Sequence, residues 1–291
     1  MRRMVASPGV TFTAGSLVFG RLVLTGVTTF EVRPADSRLI TRTEWLESRH
    51  SFAFGAHYDP GNTHFGLLLA HNVDVVAPGT GYDSHPHRDT EIVTWMVQGS
   101  LVHTDSQGHT GLIYPGLAQR MSAGTGIVHS ERNGAVLPAG TKRSEHAAQP
   151  GDPAEPTAVP ARFVQMWLMP SEHAVEPSYE QFDIADALAG GGWVRVASGR
   201  SGDRAQCAVR LHQRAAALDA ARLPAGTSLG LPPAPFVHLY VVDGRVDLEQ
   251  AGPLEPGDAV RIHDSDGRRI TARGPAEVLV WQMHADLTGS G

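Results

Sequence analysis

The stretch Thr90-Glu-Ile-Val-Thr-Trp-Met-Val97 is β-branched and aromatic, and Gly99 follows it closely, so it reads as a strand closed by a turn. The next residues repeat that plan. Leu101-Val-His103 and Gly111-Leu-Ile-Tyr114 flank a hairpin connection at Asp105-Ser-Gln-Gly108, and Pro115-Gly116 marks another turn. Ala118-Gln-Arg-Met-Ser122 and Ile127-Val-His129 lie on either side of Gly124-Thr-Gly126. So many short strands in so little chain indicate an antiparallel sandwich or barrel. The same signals return at Arg162–Met169, Val237–Val242 and Glu277–Met283, with turns at Asp243-Gly244 and Pro256-Gly257. The second series resembles the first in plan, which suggests an internal duplication, two β-barrels in one chain. One piece near Phe182–Leu188 permits a helix.

The chain has 291 residues, 41% hydrophobic and 19% charged, with 32 Gly and 20 Pro. That length leaves room for about two domains and a core that needs neither disulfide nor metal to hold it. The single cysteine, Cys207, excludes a disulfide framework and any four-thiolate zinc site, and reads as a small buried hydrophobe. A net charge of −6 argues against direct nucleic-acid binding. All but one of the 24 basic residues are arginine, Lys142 being the exception, as a GC-rich coding sequence would produce. Arg2 and Arg3 precede apolar residues, but Pro8, Gly9, Gly15, Gly20 and Arg21 break the run a signal peptide requires. No stretch approaches the ~20 apolar residues of a membrane span, so the chain reads as cytoplasmic. The expected organisation is an N-terminal extension over 1–30, a barrel over 31–160 with a flexible loop at 134–160, and a second barrel over 161–291.

Fifteen His are many for this length, and their placement carries the chemistry. In His85-Pro-His87 the two imidazoles stand two apart on an extended segment and so point to one side of the chain. His129-Ser-Glu131 is a second such pair. If the two segments are neighbouring strands, they make a site of three His and one carboxylate, suited to iron, manganese, nickel, cobalt, copper or zinc. His57, His64, His71, His103 and His109 do not share the pattern and read as surface or hydrogen-bonded residues. His146, in the loop, reads as exposed.

Gly81-Tyr-Asp-Ser-His-Pro-His-Arg-Asp-Thr-Glu-Ile-Val-Thr-Trp95 resembles the first metal-binding motif of pirins, and Met121-Ser-Ala-Gly-Thr-Gly-Ile-Val-His-Ser-Glu131 resembles the second. The likeness takes in Gly99–Gly108, Trp45–Phe52 with Tyr58-Asp-Pro60, Gln165–Pro170 and Tyr179-Glu-Gln181, and spans about residues 31 to 286. The first 30 residues and the length of the 134–160 loop depart from the family's pattern.

Pirins are bicupins, so the resemblance implies an all-β chain of two cupin barrels face to face. It implies one divalent metal, Fe(II) foremost, held in the first barrel by His85, His87, His129 and Glu131. In the second barrel His238 and His263 stand alone in their segments and read as structural, leaving it metal-free. Some pirins are quercetin 2,3-dioxygenases, which implies an aromatic or flavonol substrate, O2, and Glu131 as general base. Others resemble metal- and redox-dependent regulators, which implies a protein partner instead. A monomer is expected. Arg88 reads as a surface charge, Glu91 as a side chain beside the metal site or elsewhere, and Trp95 and Met121 as core.

Overall fold

The computed structural model describes residues 28–134 and 159–287. The expected extension up to residue 27, almost all of the 134–160 loop and His146 lie outside the described residues. In chain order the first strands are β1 (Thr29–Arg33), β2 (Leu39–Arg42), β3 (Leu46–His50), β4 (Leu68–Val76), β5 (Gly81–His87) and β6 (Glu91–Gln98). Then come β7 (Leu101–Asp105), β8 (Thr110–Ile113), β9 (Leu117–Ser122), β10 (Ile127–Arg132), β11 (Ala161–Leu168) and β12 (Ser178–Asp183). A single turn of helix, α1 (Ala185–Leu188), leads to β13 (Val194–Ser198), β14 (Val209–Arg210), β15 (Ala216–Leu223), β16 (Ser228–Gly230) and β17 (Phe236–Asp243). The last are β18 (Val246–Leu248), β19 (Gly252–Leu254), β20 (Ala259–His263), β21 (Arg269–Ala272) and β22 (Ala276–Met283). The all-β expectation therefore holds. No helix among the described residues is long and apolar enough to cross a membrane.

Each half is a sandwich of a seven-stranded and a four-stranded sheet rather than one continuous barrel. The first half stacks β12-β9-β6-β11-β4-β3-β2 on β5-β10-β7-β8, and the second stacks β1-β20-β17-β22-β15-β13-β14 on β16-β21-β18-β19. Two segments do not follow the expected boundaries. β11, assigned from sequence to the second half, lies in the middle of the first half's large sheet between β4 and β6, and β12 pairs with β9. Conversely β1 leaves the half it precedes and pairs with β20.

The two large sheets face each other, which explains their composition. A sheet covered on both faces reads as a nearly continuous apolar run rather than an alternation. In β6, Val93 and Trp95 face the other half while Ile92 and Met96 turn into their own sandwich. The shared layer takes in Trp95, Val164, Met166 and Leu168 from one half and Leu218, Tyr240, Leu279, Trp281 and Met283 from the other. Polar handles on the large rings find partners across it. Trp95 Nε1 donates to Glu277 Oε1 at 2.7 Å, and Trp281 Nε1 meets the Met166 sulfur at 3.1 Å. Trp95 and Met121 are core residues, as their type suggested.

The two interiors differ. The second sandwich is filled by Val237, Leu239, Val241, Val246, Leu248, Ile262, Val278 and Val280. The first has two separate apolar clusters, one around Leu101, Ile113 and Phe163 and one around Ile92, Met121 and Ile127. Its large sheet presents polar side chains inward at alternate positions, including Ser48 and His50, Asn72 and Asp74, and Thr94 and Gln165.

Candidate metal centre

β5 and β10 pair antiparallel with His85 opposite His129 and His87 opposite Ile127. A bulge between His129 and Glu131 locally shifts the register there. The ring centroids of His85, His87 and His129 lie 4.5 to 5.0 Å apart, and each ring offers a nitrogen within 4.8 Å of the others. On the other side of β10, β7 sets His103 opposite Glu131. His103, His129 and Glu131 form a second group within the same spacing, so His129 is shared by two overlapping triads. His85, His87 and His129 thus share one cluster, and Glu131 shares the other with His129 and with His103, which the sequence did not single out.

Gly81 holds this arrangement closed. A Cβ there would lie 2.3 Å from the Glu131 carbonyl oxygen, so only glycine lets β5 approach β10 this closely at the carboxylate's own residue.

The hydrogen bonds sort the nitrogens. His85 Nδ1 lies 2.7 Å from the Asp83 carbonyl, an acceptor only, so Nδ1 carries the proton and Nε2 is free. His103 Nε2 lies 3.1 Å from Asp105 Oδ2, and its Nδ1 lies 3.3 Å from Nδ1 of His129. The carboxylate assigns the His103 proton to Nε2. His103 Nδ1 then accepts from His129, and His129 Nε2 is left as a lone pair. His129 Nε2 and His87 Nε2 are both buried without a partner. Orphaned imidazole nitrogens beside a carboxylate are the donor set of a divalent transition metal, with no thiolate near to favour a softer ion. Cys207 lies in the second half between β13 and β14, half-buried rather than the buried hydrophobe expected, its sulfur 3.9 Å from the Ser198 carbonyl.

Burial dominates the electrostatics. It lowers His129 to about 2 and His87 to about 4, with the neighbouring imidazoles adding to the effect, so both are neutral and free to ligate. It raises the fully buried Glu131, against the opposing pull of His103 and a hydrogen bond from Gln165 Nε2 at 2.8 Å. Burial also raises Asp74, to about 6, though its carboxylate accepts from Ser48 and from the Tyr82 hydroxyl. Asp105 goes the other way. Burial pushes it up, but hydrogen bonds from His103 and His109 outweigh that and bring it to about 2.

A cavity of about 310 Å³ opens onto His85, His87 and Glu131. Phe54 and Trp167 stand on its wall with their rings 5.2 Å apart and at 74° to each other, and Trp167 lies 5.0 Å from His87. His50 stacks on Phe54 at 5.1 Å. Trp167 Nε1 donates to Gln165 Oε1 at 3.1 Å, which fixes the amide so that its NH2 reaches Glu131.

The remaining expectations divide. Arg88 is a surface charge, 71% exposed, beside Asp89. Glu91 is not at the metal site. It faces the other half, where it accepts from Ser122 Oγ and from the backbone N–H groups of His212 and Gln213. His109 bonds Asp105. His238 is buried, but both its ring nitrogens lack hydrogen-bond partners, and it packs against His71 rather than against other metal-ligand types. Sequence reasoning missed His50, Phe54, Gln165 and Trp167 as wall residues. The available signal was polar residues two apart within otherwise apolar strands, as in Asn72-Val-Asp74.

Two cupin sandwiches, one packed solid and one with a His/carboxylate cluster at the end of a cavity, define a bicupin. Residues 32–168 match the Pirin family, and residues 195–283 match the family described as the quercetinase C-terminal cupin domain. A Mycobacterium tuberculosis H37Rv protein bearing the name "Putative quercetin 2,3-dioxygenase" is 50% identical over 262 residues, covering 90% of this chain and 98% of that one. The Escherichia coli K12 protein named quercetin 2,3-dioxygenase is 32% identical over 253 residues, covering 87% and 97%. The solved structure of the Escherichia coli pirin YhhW in complex with nickel(II) superposes with a TM-score of 0.72 at 29% identity, covering 88% of this chain and all of that one. The chain belongs to the pirin family.

Proposed function

We propose that this protein is a metal-dependent dioxygenase of the quercetin 2,3-dioxygenase type, opening a flavonol or a similar enolic aromatic ring with O2. The ion is held by His85, His87 and His129 with Glu131 as the fourth ligand. Iron(II) is the first choice, and nickel(II) is a second, since a related pirin was solved in complex with nickel(II). The reading rests chiefly on one observation: His87, whose Nε2 is buried without a partner and which clusters with His129, whose Nε2 is equally partnerless, lines a cavity walled by Phe54 and Trp167. When bound, the metal supplies Lewis acidity to a substrate hydroxyl and a redox partner for oxygen.

The chain's own groups supply the rest. Phe54 and Trp167 present aromatic surface to a planar ring, and the cavity lies at the small end of the range for drug-sized ligands. Glu131, raised by burial, is a stronger base than an ordinary carboxylate and receives the hydroxyl proton. Gln165, held by Trp167, hydrogen-bonds one Glu131 oxygen and so fixes the carboxylate. The pair His103–Asp105 keeps His129 in the ligating tautomer. A cytoplasmic, monomeric protein is part of the same reading.

The test is oxygen uptake with quercetin by iron-loaded protein, with His87→Ala as control. Uptake with release of carbon monoxide, lost in the variant, is the expected result. No uptake by protein fully loaded with iron, nickel or manganese overturns the dioxygenase reading and favours a regulator whose partner affinity follows the metal's oxidation state.

A further inference from the structure

A second pocket lies where the two halves meet, and its lining is cationic. Arg33 ends β1, Arg38 lies in the link from β1 to β2, and His238 and Arg261 come from β17 and β20. Ser37, His50, Ser51 and Asn62 complete the polar part of the wall, and no carboxylate lines it. Arg38 and Arg261 are 8% and 7% exposed, and His238 is 1% exposed. Behind His238 sits His71, fully buried, with the rings 4.8 Å apart.

The donors here outnumber the acceptors. Arg38 Nη2, Arg261 Nε, both ring nitrogens of His238 and Nε2 of His71 are buried without a hydrogen-bond partner. Arg261 Nη2 is satisfied by the Ser51 carbonyl and by Asn62 Oδ1. Glu31 is the one carboxylate within ion-pair distance among the described residues, 3.4 Å from Arg33 and 3.8 Å from Arg261, and it is 56% exposed. Aromatic rings cover the guanidinium faces. Arg38 lies 4.8 Å over Tyr240, and Arg261 lies 4.6 Å over Phe52. Face stacking leaves the in-plane N–H donors of a guanidinium unused, and a guanidinium has no acceptor with which neighbours can satisfy one another. Among the described residues Arg38 has no carboxylate at ion-pair distance and Arg261 has only the solvent-exposed Glu31, and buried charge so weakly compensated is strongly unfavourable.

We propose that this pocket binds a compact monoanion, a halide or a one-carbon carboxylate, between Arg38, Arg261 and His238. The pocket has about 30 Å³ of free space, where a single water needs about 10–15 Å³. That room suits an anion of one to three heavy atoms and excludes sulfate and phosphate. Because its donors come from both halves, the anion ties the β1–β2 link to β17 and β20. The inference does not depend on the proposed activity.

The test uses full-length, metal-loaded protein in sodium gluconate at constant ionic strength, with chloride or formate replacing gluconate stepwise. A ligand that binds only the folded chain raises its melting temperature saturably. The expected result is a saturable rise with chloride, formate or both, the tighter one naming the source of the anion. In Arg38→Gln the midpoint moves by about tenfold or more, as loss of a charge-assisted contact implies. His87→Ala, which disturbs the metal site, keeps the response, so binding at the metal is distinguished. If Arg38→Gln does not fold, Arg33→Gln at the pocket's rim is read instead, and anomalous scattering from crystals grown in bromide locates the ion directly. A response that follows ionic strength alone, a response to sulfate equal to that to chloride, or bromide ordered only elsewhere overturns the proposal.

Discussion

His129 and His103 face each other across β10 and β7 with their Nδ1 atoms 3.3 Å apart, and the far side of His103 is held by Asp105. The three residues make a relay that orients a candidate ligand without spending a ligand on it. His103→Phe should keep the stack on Tyr179, where the rings are 4.5 Å apart, while removing the acceptor for His129. Metal affinity should fall about 10- to 100-fold, as for other partners that orient a ligating histidine. Chelator competition reads this, with His109→Ala as a control that leaves affinity near the parent value. Equal affinities in the parent and His103→Phe would remove the relay from the account.

Glu131→Gln preserves shape and still accepts from Gln165, but it cannot take a proton. Turnover should drop by about 10²–10⁴-fold, the range for loss of a general base. Rates are compared at equal metal content, measured in the same samples, so that loss of the ion is separated from loss of the base. Parent-like turnover in a metal-loaded Glu131→Gln sample would exclude Glu131 as the proton acceptor.

Trp167→Phe leaves an aromatic ring on the cavity wall and deletes only the bond to Gln165 Oε1. The freed amide can then turn its oxygen toward Glu131. A fall in kcat of about tenfold with KM within about threefold is expected, since the interaction lost acts on the base and not on substrate binding. A change confined to KM would place Trp167 in substrate contact alone.

The buried imidazoles set a pH dependence for the metal-free protein. Burial holds His71 and His238 well below the ordinary histidine value, and His87 at about 4. As pH falls below ~6.5 the unfolded chain takes up protons that these folded groups refuse, so stability falls. Each of the two fully buried groups contributes a slope approaching about 1.4 kcal/mol per pH unit. Asp74, raised to about 6, works in the opposite sense, because its folded carboxyl takes up a proton before the unfolded one does. Glu131 and Asp219 are raised as well. The four imidazoles, His129 at about 2 included, outnumber the three raised carboxyls, so unfolding free energy from urea titration should decrease from about pH 7.5 to 5, most steeply below about 6.5. A steady gain in stability across that interval would contradict the assignment of neutral buried histidines.

What could be read from the chain alone depended on range. The strands from Glu91 to Arg132 and the two i, i+2 pairs are local, and period-two side-chain geometry made them legible. His103 looked ordinary because its role comes from standing opposite Glu131 on a neighbouring strand, a pairing that no spacing encodes. The same holds for Gln165 and Trp167. Their strand reads as a generic apolar run, and its place between β4 and β6 follows from how the sheet is ordered. The half boundary was misjudged for that reason. A proline-rich loop was taken as a junction, whereas the chain crosses it and returns to the same sheet.

The strand β1 pairs with β20, roughly 230 residues further along the chain. During synthesis at ~5–20 residues per second, β1 waits on the order of 10–50 s after it is made before its partner exists. The first sandwich can gather its own strands once β12 has emerged, but the edge that joins β1 to the second half is among the last pieces to close. A ribosome that stalls after β12 therefore leaves a first sandwich whose large sheet has no opposite sheet to cover its outer face, and an early strand with nothing to pair with. The point of greatest exposure to chaperones and proteases lies between these two events, before the chain is released.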